Sequence, residues 1–244
     1  MQAHQADQEQ AGGNGLKAAS IAIFILILVI HVIAQVDRNL LSGYSQQITG
    51  ELGISNAEYG FLSGAVWAPS YGIMAVLRGS IADRHNRYRV IACGLLAWSA
   101  CTVASGFAQN LQQMALARFL VASGEAALVP AAVSLIMDLF KGRQVGTYIG
   151  IFFACIPLGL GFSFALAGTL DASLGWRGTY QLLGLLGVLI GLPLLAMRDS
   201  RDTAVASERG APVGQQMRDV VALMREKPAL LWIIVGFIMV NMAL

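Results

Sequence analysis

The chain has 244 residues, of which 56% are hydrophobic and only 12% are charged, and its mean hydropathy is +0.64. A soluble domain carries about 25% charged residues. The apolar residues here occur in blocks of about 20, the length that crosses a hydrocarbon core of about 30 Å. These properties exclude a soluble globular protein and predict an integral membrane protein whose solvent is the lipid bilayer. The formal net charge of +2, with no basic run interleaved with aromatics, excludes nucleic acid as a partner.

Hydropathy and turn residues predict an all-α fold with six complete membrane-spanning helices. In chain order they cover residues 18–46, 56–78, 88–108, 111–139, 146–170 and 178–197. The glycines within them (Gly60, Gly64, Gly72, Gly150, Gly159, Gly161) are expected to let helix backbones approach closely. Before the second helix, Ser55 and Glu58 have the spacing of a capping box.

Three further segments flank these helices. Residues 1–17 are polar and rich in Gln, and we expect a short mobile tail. Residues 198–227 form a polar linker in which Met217, Val220, Val221 and Met224 recur with helical spacing, which predicts an amphipathic surface helix; an unstructured tether is the alternative. A seventh helix begins in 228–244 but stops short of the roughly 20 residues that a crossing needs, so we expect it to be incomplete.

The positions of the basic residues predict the orientation. Thirteen of the sixteen Lys and Arg residues fall on one side of the predicted helices. On the other side only Arg177 lies in a loop, while Arg38 and Arg118 lie within helices. Because basic residues accumulate in cytoplasmic loops, we expect a multi-pass protein of the cell membrane with the N-terminus and the linker in the cytoplasm.

The turn between the second and third helices carries a motif that resembles the signature of the major facilitator superfamily. Gly79 is followed by Asp83 and Arg84, and then by Arg87. The pattern suits a cytoplasmic gate: Asp83 can cap a helix in the second half of a full transporter, and Arg87 can pair with Asp138. A basic positive-inside loop is the alternative, but it explains neither Gly79 nor Asp83.

Within that superfamily the chain is similar to the spinster-type transporters over residues 30–197. Five motifs carry the resemblance: Val36-Asp37-Arg38, Asp83-Arg84-His85-Asn86-Arg87, Ala117-Arg118 seven residues before Gly124-Glu125-Ala126, the stretch from Pro130 to Phe140, and Gly175-Trp176-Arg177. Arg78 and the pair Ile156-Pro157 depart from the usual pattern, and the latter argues against drug antiport. The resemblance implies the N-terminal six-helix bundle of the major facilitator fold, a missing C-terminal half, and transport by alternating access.

Four charges lie inside the predicted helices: Asp37, Arg38, Arg118 and Glu125. Each costs about 2.5 to 3.5 kcal/mol at a helix centre unless it is paired or faces a wet cavity. Arg118 and Glu125 are two turns apart, about 10 Å in height, and Asp37 and Arg38 point about 100° apart. Pairing must therefore cross between helices. We predict a pair between Asp37 and Arg118, which leaves Glu125 in a desolvated position that favours its neutral form.

These charges lead to a mechanistic hypothesis. Glu125 and Asp37 take up and release a proton, and the neutralised carboxylate frees an arginine and shifts the bundle between inward-open and outward-open states. The resemblance to spinster-type transporters implies an amphiphilic, lysolipid-like solute, and Arg118 and Arg38 would suit the phosphate or carboxylate of an anionic one. A static structural bridge is the alternative role for the charges.

Other functions and residues receive less weight. No serine elbow, histidine metal cluster or phosphate-binding glycine loop occurs in the sequence, so we expect no enzyme, no cofactor and no metal. An organic-anion or drug transporter of a neighbouring branch and a non-transporting half-bundle are the rival functions. His31 could relay protons but more often packs against a carbonyl, while Trp67, Tyr71 and Tyr44 could line a cavity or simply pack.

Overall fold

The computed structural model describes residues 2–82, 86–197 and 199, together with positions 218, 222, 223, 225–227, 229 and 232. For residues 2–17, 73 and 76–82 it describes the backbone alone. Residues 1–205 and 206–244 form two separate units, and the fold below is that of the first. Three predictions fall outside the described residues: the roles of Asp83 and Arg84, the amphipathic helix of the linker, and nearly all of the seventh helix.

The described residues of the first unit form helices joined by turns, with no strand among them. In chain order the elements are α1 Gln2–Gly43, α2 Ser45–Leu52, α3 Asn56–Gly60, a π-helical segment Phe61–Val66, α4 Trp67–Ala82, α5 Arg87–Ser105, α6 Leu111–Glu125, α7 Leu128–Leu139 and α8 Gln144–Leu194.

Four helical stretches in the described part of the chain are long and apolar enough to cross a membrane. They are Ala18–Gly43, Arg87–Ser105, Leu111–Leu139 and Gln144–Leu194. The last spans 51 residues and is interrupted at Gly175, whose φ of 60° and ψ of −175° are not helical. Because glycine adopts positive φ without a steric penalty, α8 folds into two parts, α8a before Gly175 and α8b after it. The predicted all-α membrane fold is confirmed, and the count of six crossings stays a prediction.

Three boundaries differ from the predicted ones. The first helix begins at Gln2, so residues 2–17 have helical backbone, and the mobility expected of this tail stays a prediction. The predicted span 56–78 is divided by the π-helical segment. The predicted span 111–139 is divided at Ala126 and Ala127, because Pro130 has no N–H to donate to the carbonyl four residues earlier.

Close contacts between helices set how the bundle is assembled. α1 runs parallel to α8a, and an added Cβ at Gly159 would lie 2.2 Å from the Cβ of Gln35. α5 runs antiparallel to α8b, and an added Cβ at Gly184 would lie 2.6 Å from the carbonyl oxygen of Ser99. Of the six glycines expected at such contacts, Gly159 alone has a neighbouring helix this close among the described residues. The others have open space around the Cα, so that expectation was wrong for them.

Two buried apolar clusters fill the bundle. One contains Phe24, Trp98 and Phe140 and lies toward the end where α5 begins, which we call the Arg87 end. The other contains Leu40, Met114 and Tyr180 and lies toward the end that carries α2, which we call the α2 end. Other large apolar side chains on α8, such as Leu158 and Leu189, are exposed, as expected for a surface that contacts lipid.

At the α2 end, one carboxylate joins three parts of the fold. Glu51 accepts hydrogen bonds from Trp176 Nε1 at 2.5 Å and from Arg177 Nε at 2.7 Å. Arg177 Nη1 also donates to the carbonyl oxygens of Ala108, at 2.6 Å, and Gly106, at 3.2 Å. We call Glu51, Trp176 and Arg177 the α2 clasp, because they tie α2 and the α5–α6 turn to α8b. Nearby, the predicted capping box of Ser55 and Glu58 is confirmed.

Replacing Gly184 by Ala tests the contact between α5 and α8b. The added methyl group meets the backbone of Ser99, which cannot move without displacing its helix, so we expect Gly184→Ala to lower stability by about 1 to 3 kcal/mol. The matched control is Gly150→Ala, where the new methyl enters open space. Unfolding in detergent measures both variants, and equal stability of the two would contradict the packing described here.

The α2 clasp makes stability depend on pH in the acid range. Hydrogen bonds from Arg177, and then from Trp176, hold the pKa of Glu51 below its ordinary value of 4.5. The pKa of Glu51 is lower in the folded protein than in the unfolded chain, so the clasp stabilises the fold fully at pH values above the ordinary pKa of 4.5. This stabilisation is lost as the pH falls through the pKa of Glu51 in the folded protein. The side chains of Glu51 and Arg177 are 50% and 32% exposed, so the gain is at most about 1 kcal/mol.

Melting curves of wild type and Glu51→Gln test this dependence. We expect Glu51→Gln to melt at a lower temperature at neutral pH and the difference to vanish in strong acid. A difference that persists unchanged after acidification would show that the charge of Glu51 has no part in the clasp.

Candidate functional site

A buried ion pair lies between the two apolar clusters. Arg118 of α6 donates from Nη1 to Asp37 Oδ1 of α1 at 2.8 Å and from Nη2 to the Asp37 carbonyl oxygen at 3.2 Å. The side chains are 2% and 1% exposed, respectively. The predicted pairing of Asp37 with Arg118 is therefore confirmed. Their roles in proton coupling or substrate binding stay predictions.

The second carboxylate oxygen of Asp37 also has a donor. The hydroxyl of Thr102 on α5 donates to Asp37 Oδ2, so that three helices meet at one carboxylate. Both oxygens of this buried anion are thereby engaged, as a buried charge requires. The sequence analysis did not identify Thr102, because a single threonine within an apolar helix carries no pattern that distinguishes it from a packing residue.

The remaining two charges form a looser contact. Arg38 Nη2 lies 3.6 Å from Glu125 Oε2, and the side chains are 32% and 2% exposed. The expectation that all four charges are buried was therefore wrong for Arg38, which is partly open. Neither oxygen of Glu125 has a hydrogen-bond partner among the described residues. This pairing was not predicted from the sequence, because it depends on the rotational orientation of α1 about its own axis relative to α6.

Two aromatic rings of α4 cover the guanidinium of Arg38. Its central carbon lies 3.6 Å from the centre of the Trp67 ring and 5.4 Å from that of Tyr71. The two rings are stacked, with their centres 4.6 Å apart. An arginine over an aromatic face is a cation–π contact. The sequence did not predict this contact of Trp67 and Tyr71 with a charged group, and the idea that they line a cavity stays a prediction.

At the Arg87 end, the predicted pair between Arg87 and Asp138 is confirmed, with Nη1 and Oδ2 2.5 Å apart. Asp199, which follows α8, forms a second pair with Arg87 at 2.7 Å and accepts from its backbone N–H at 3.0 Å. The sequence analysis missed Asp199 because it lies in a polar linker. Gly79 lies within helical backbone of α4.

His31 and Tyr44 have structural partners. His31 Nδ1 is 2.9 Å from the carbonyl oxygen of Phe152, and its Nε2 is 3.0 Å from Gln35 Nε2. The expectation that this histidine packs against a backbone carbonyl is confirmed. The hydroxyl of Tyr44 is 2.8 Å from that of Thr179, which places Tyr44 in the packing between α1 and α8b.

Several known proteins resemble this chain in sequence. The model of the Major Facilitator Superfamily matches residues 27–244. The "Probable L-galactonate transporter" of Escherichia coli is 30% identical over 72% of this chain and 39% of its own length. The sphingosine-1-phosphate transporter SPNS2 of Mus musculus is 28% identical over 81% of this chain and 37% of its own length.

A solved structure also matches. It is that of a bacterial homologue of the human lysosomal transporter Spinster, in an inward-facing and unoccupied conformation. The TM-score is 0.65 and the identity 26%, over 79% of this chain and 44% of that one. The chain therefore spans less than half the length of each of these relatives.

A double-mutant cycle tests the ion pair of Asp37 and Arg118. Either Asp37→Asn or Arg118→Gln leaves a buried charge without its partner, which costs about 3 to 5 kcal/mol. The double variant leaves two neutral groups that can hydrogen-bond, so we expect it to be more stable than the sum of the single losses predicts, by at least about 2 kcal/mol. Unfolding in detergent gives the three values, and strict additivity would contradict the pairing.

Proposed function

This chain belongs to the major facilitator superfamily, and on that premise we propose that it supplies the proton-coupling half of a secondary active transporter that works by alternating access. The layer of Asp37, Arg38, Arg118 and Glu125 is the proposed coupling site. A secondary transporter needs a group within the membrane that changes charge during the cycle. Its protonation must also bias two arrangements of the bundle.

The observation that carries this proposal is the state of Glu125. Its carboxylate is buried, lacks hydrogen bonds among the described residues, and has its nearest cation at 3.6 Å. A buried carboxylate with so few contacts is easier to neutralise than one that is fully engaged. Asp37 is the second proposed proton carrier, but its protonation would have to break the contacts with Arg118 and Thr102.

The proposed sequence of events begins at the looser pair. When Glu125 takes a proton, Arg38 loses its counter-charge and becomes free to bind an anionic group. When that group binds to Arg38, it replaces the charge that Glu125 no longer provides. The tight pair of Asp37 and Arg118 meanwhile keeps α1, α5 and α6 together as one body, so that the change is confined to the partly exposed side of the layer.

The proposed substrate is an amphiphilic anion of the lysolipid class. Arg38 supports this, because its guanidinium is 32% exposed and can bind a phosphate or carboxylate with two hydrogen bonds. Arg118 was proposed for the same purpose, but its donors already bind Asp37. The relative named for sphingosine-1-phosphate fits this class. The relative named for L-galactonate supports a second candidate, a small organic anion such as a sugar acid.

We further propose that a second helical half completes the transport path. Central sites in transporters of this type lie between two halves, and the four charges lie in one. The proposed gate (Gly79, Asp83, Arg84, Arg87, Asp138) would act at the Arg87 end, which the basic residues predict to be cytoplasmic in the cell membrane. A half-bundle without transport activity of its own remains the rival, since the chain covers less than half of its relatives.

Substituting Glu125 by Gln tests proton coupling. In proteoliposomes of the complete protein under a pH gradient, we expect Glu125→Gln to reduce flux to the level of protein-free liposomes, because the neutral amide cannot release a proton. Flux of a lysophospholipid and of a sugar acid, measured in parallel, separates the two candidate substrates. Asp171→Asn, an exposed carboxylate at the α2 end, is the matched control and should keep wild-type flux. Full proton-driven flux in Glu125→Gln would end the proposal.

A further inference from the structure

The guanidinium of Arg38 has two competing partners on different helices. On one side it lies over Trp67, 3.6 Å from the ring centre. On the other side its Nη2 is 3.6 Å from Glu125 Oε2. A charge-assisted hydrogen bond between these two groups would have a length of about 2.7 to 2.9 Å. Arg38 is therefore within ion-pair distance of Glu125 but outside hydrogen-bond distance.

Several buried polar atoms around this contact have no partner. They are Arg38 Nε, Trp67 Nε1 and both carboxylate oxygens of Glu125, and the indole N–H of Trp67 faces the Glu125 carboxylate. A buried donor and acceptor left unsatisfied cost free energy, and a small movement of Arg38 toward Glu125 would satisfy several of them at once. The described contacts of the guanidinium on its other side are the rings of Trp67 and Tyr71.

The aromatic pair on α4 is itself anchored. Ser70 lies between the two rings in sequence, and its hydroxyl is 2.7 Å from the carbonyl oxygen of Phe119 and 2.8 Å from the hydroxyl of Ser123. These bonds fix α4 against α6, the helix that carries Glu125. Trp67 is also the first residue after the π-helical segment, and such segments frequently occur at functional sites.

We propose that Trp67 and Tyr71 form an aromatic restraint that holds Arg38 out of hydrogen-bond distance from Glu125. Both residues are positioning residues, because the effect proposed for their rings acts through Arg38. The indole N–H of Trp67 also faces Glu125, and Trp67→Phe tests its effect separately. By preventing a tight ion pair, the restraint keeps Glu125 open to a proton and keeps the guanidinium free for an anion. Its use in transport rests on the proposed function, whereas the restraint itself can be measured without transport.

Other charged groups near Glu125 do not replace this effect. Arg38 and Asp37 face it from α1, Arg118 lies on its own helix, and the indole N–H of Trp67 and the hydroxyl of Tyr71 face it from α4. Asp37 and Arg118 bind each other at 2.8 Å, so their opposite charges largely cancel at Glu125. The position of Arg38 is then the variable that the aromatic rings control.

Infrared difference spectroscopy of the purified chain in lipid nanodiscs tests the restraint. The carbonyl stretch of a neutral carboxylic acid appears on acidification, and the component lost in Glu125→Gln belongs to Glu125. In Trp67→Leu the guanidinium is released and can close on the carboxylate. We expect the pH at half-intensity of the Glu125 component to fall by about one unit, a tenfold change in the ratio of neutral to charged Glu125.

Two more variants keep the test decisive. Trp67→Phe retains a ring face and should stay close to wild type, while Tyr71→Leu removes the more distant ring and should give a smaller fall than Trp67→Leu. If Trp67→Leu leaves the half-intensity pH unchanged or raises it, the restraint does not exist. If Trp67→Phe shifts as far as Trp67→Leu, the indole N–H is responsible and the proposal is also overturned. Proton-driven flux is measured in a separate assay. If that assay contradicts the proposed transport function, the infrared result for the aromatic restraint is unaffected.

Discussion

The rest of the structure depends on the ion pair between Asp37 and Arg118. Two opposite charges buried at 2.8 Å between apolar clusters are tolerated only while each satisfies the other. The pair and the hydroxyl of Thr102 bring α1, α5 and α6 to one point, so the angles at which these helices cross are constrained there. Because this pair fixes the helices, the neighbouring charges can be held in a less favourable arrangement.

The four intramembrane charges therefore divide into a tight pair and a loose one. The loose pair, Arg38 and Glu125, lies at 3.6 Å with one partner partly exposed, and the rings of Trp67 and Tyr71 lie against its arginine. At the Arg87 end, Arg87 is held by two carboxylates. At the α2 end, Glu51 and Arg177 tie α2 and the α5–α6 turn to α8b. Ion pairs thus tie the helices together at both ends of the bundle, and the looser pair lies on the partly exposed side of the charged layer.

Much of this arrangement could be predicted from the sequence, because lipid restricts the choices. Apolar blocks predicted the helical membrane fold, and the cost of buried charge required a partner for Asp37 on another helix. Local hydrogen bonding likewise predicted the capping box. What could not be predicted depends on helix rotation and long-range packing: the contact of Arg38 with Glu125, the donor Thr102, the second carboxylate at Arg87, and the glycines that touch another helix.

The central claim is that Glu125 is the group in the charged layer that exchanges a proton. Counting the protons that the chain takes up in detergent between pH 8 and pH 5, with a calibrated indicator, tests it most directly. We predict that Glu125→Gln takes up about one proton fewer per chain than wild type over this range. An identical proton count in Glu125→Gln and wild type would contradict it.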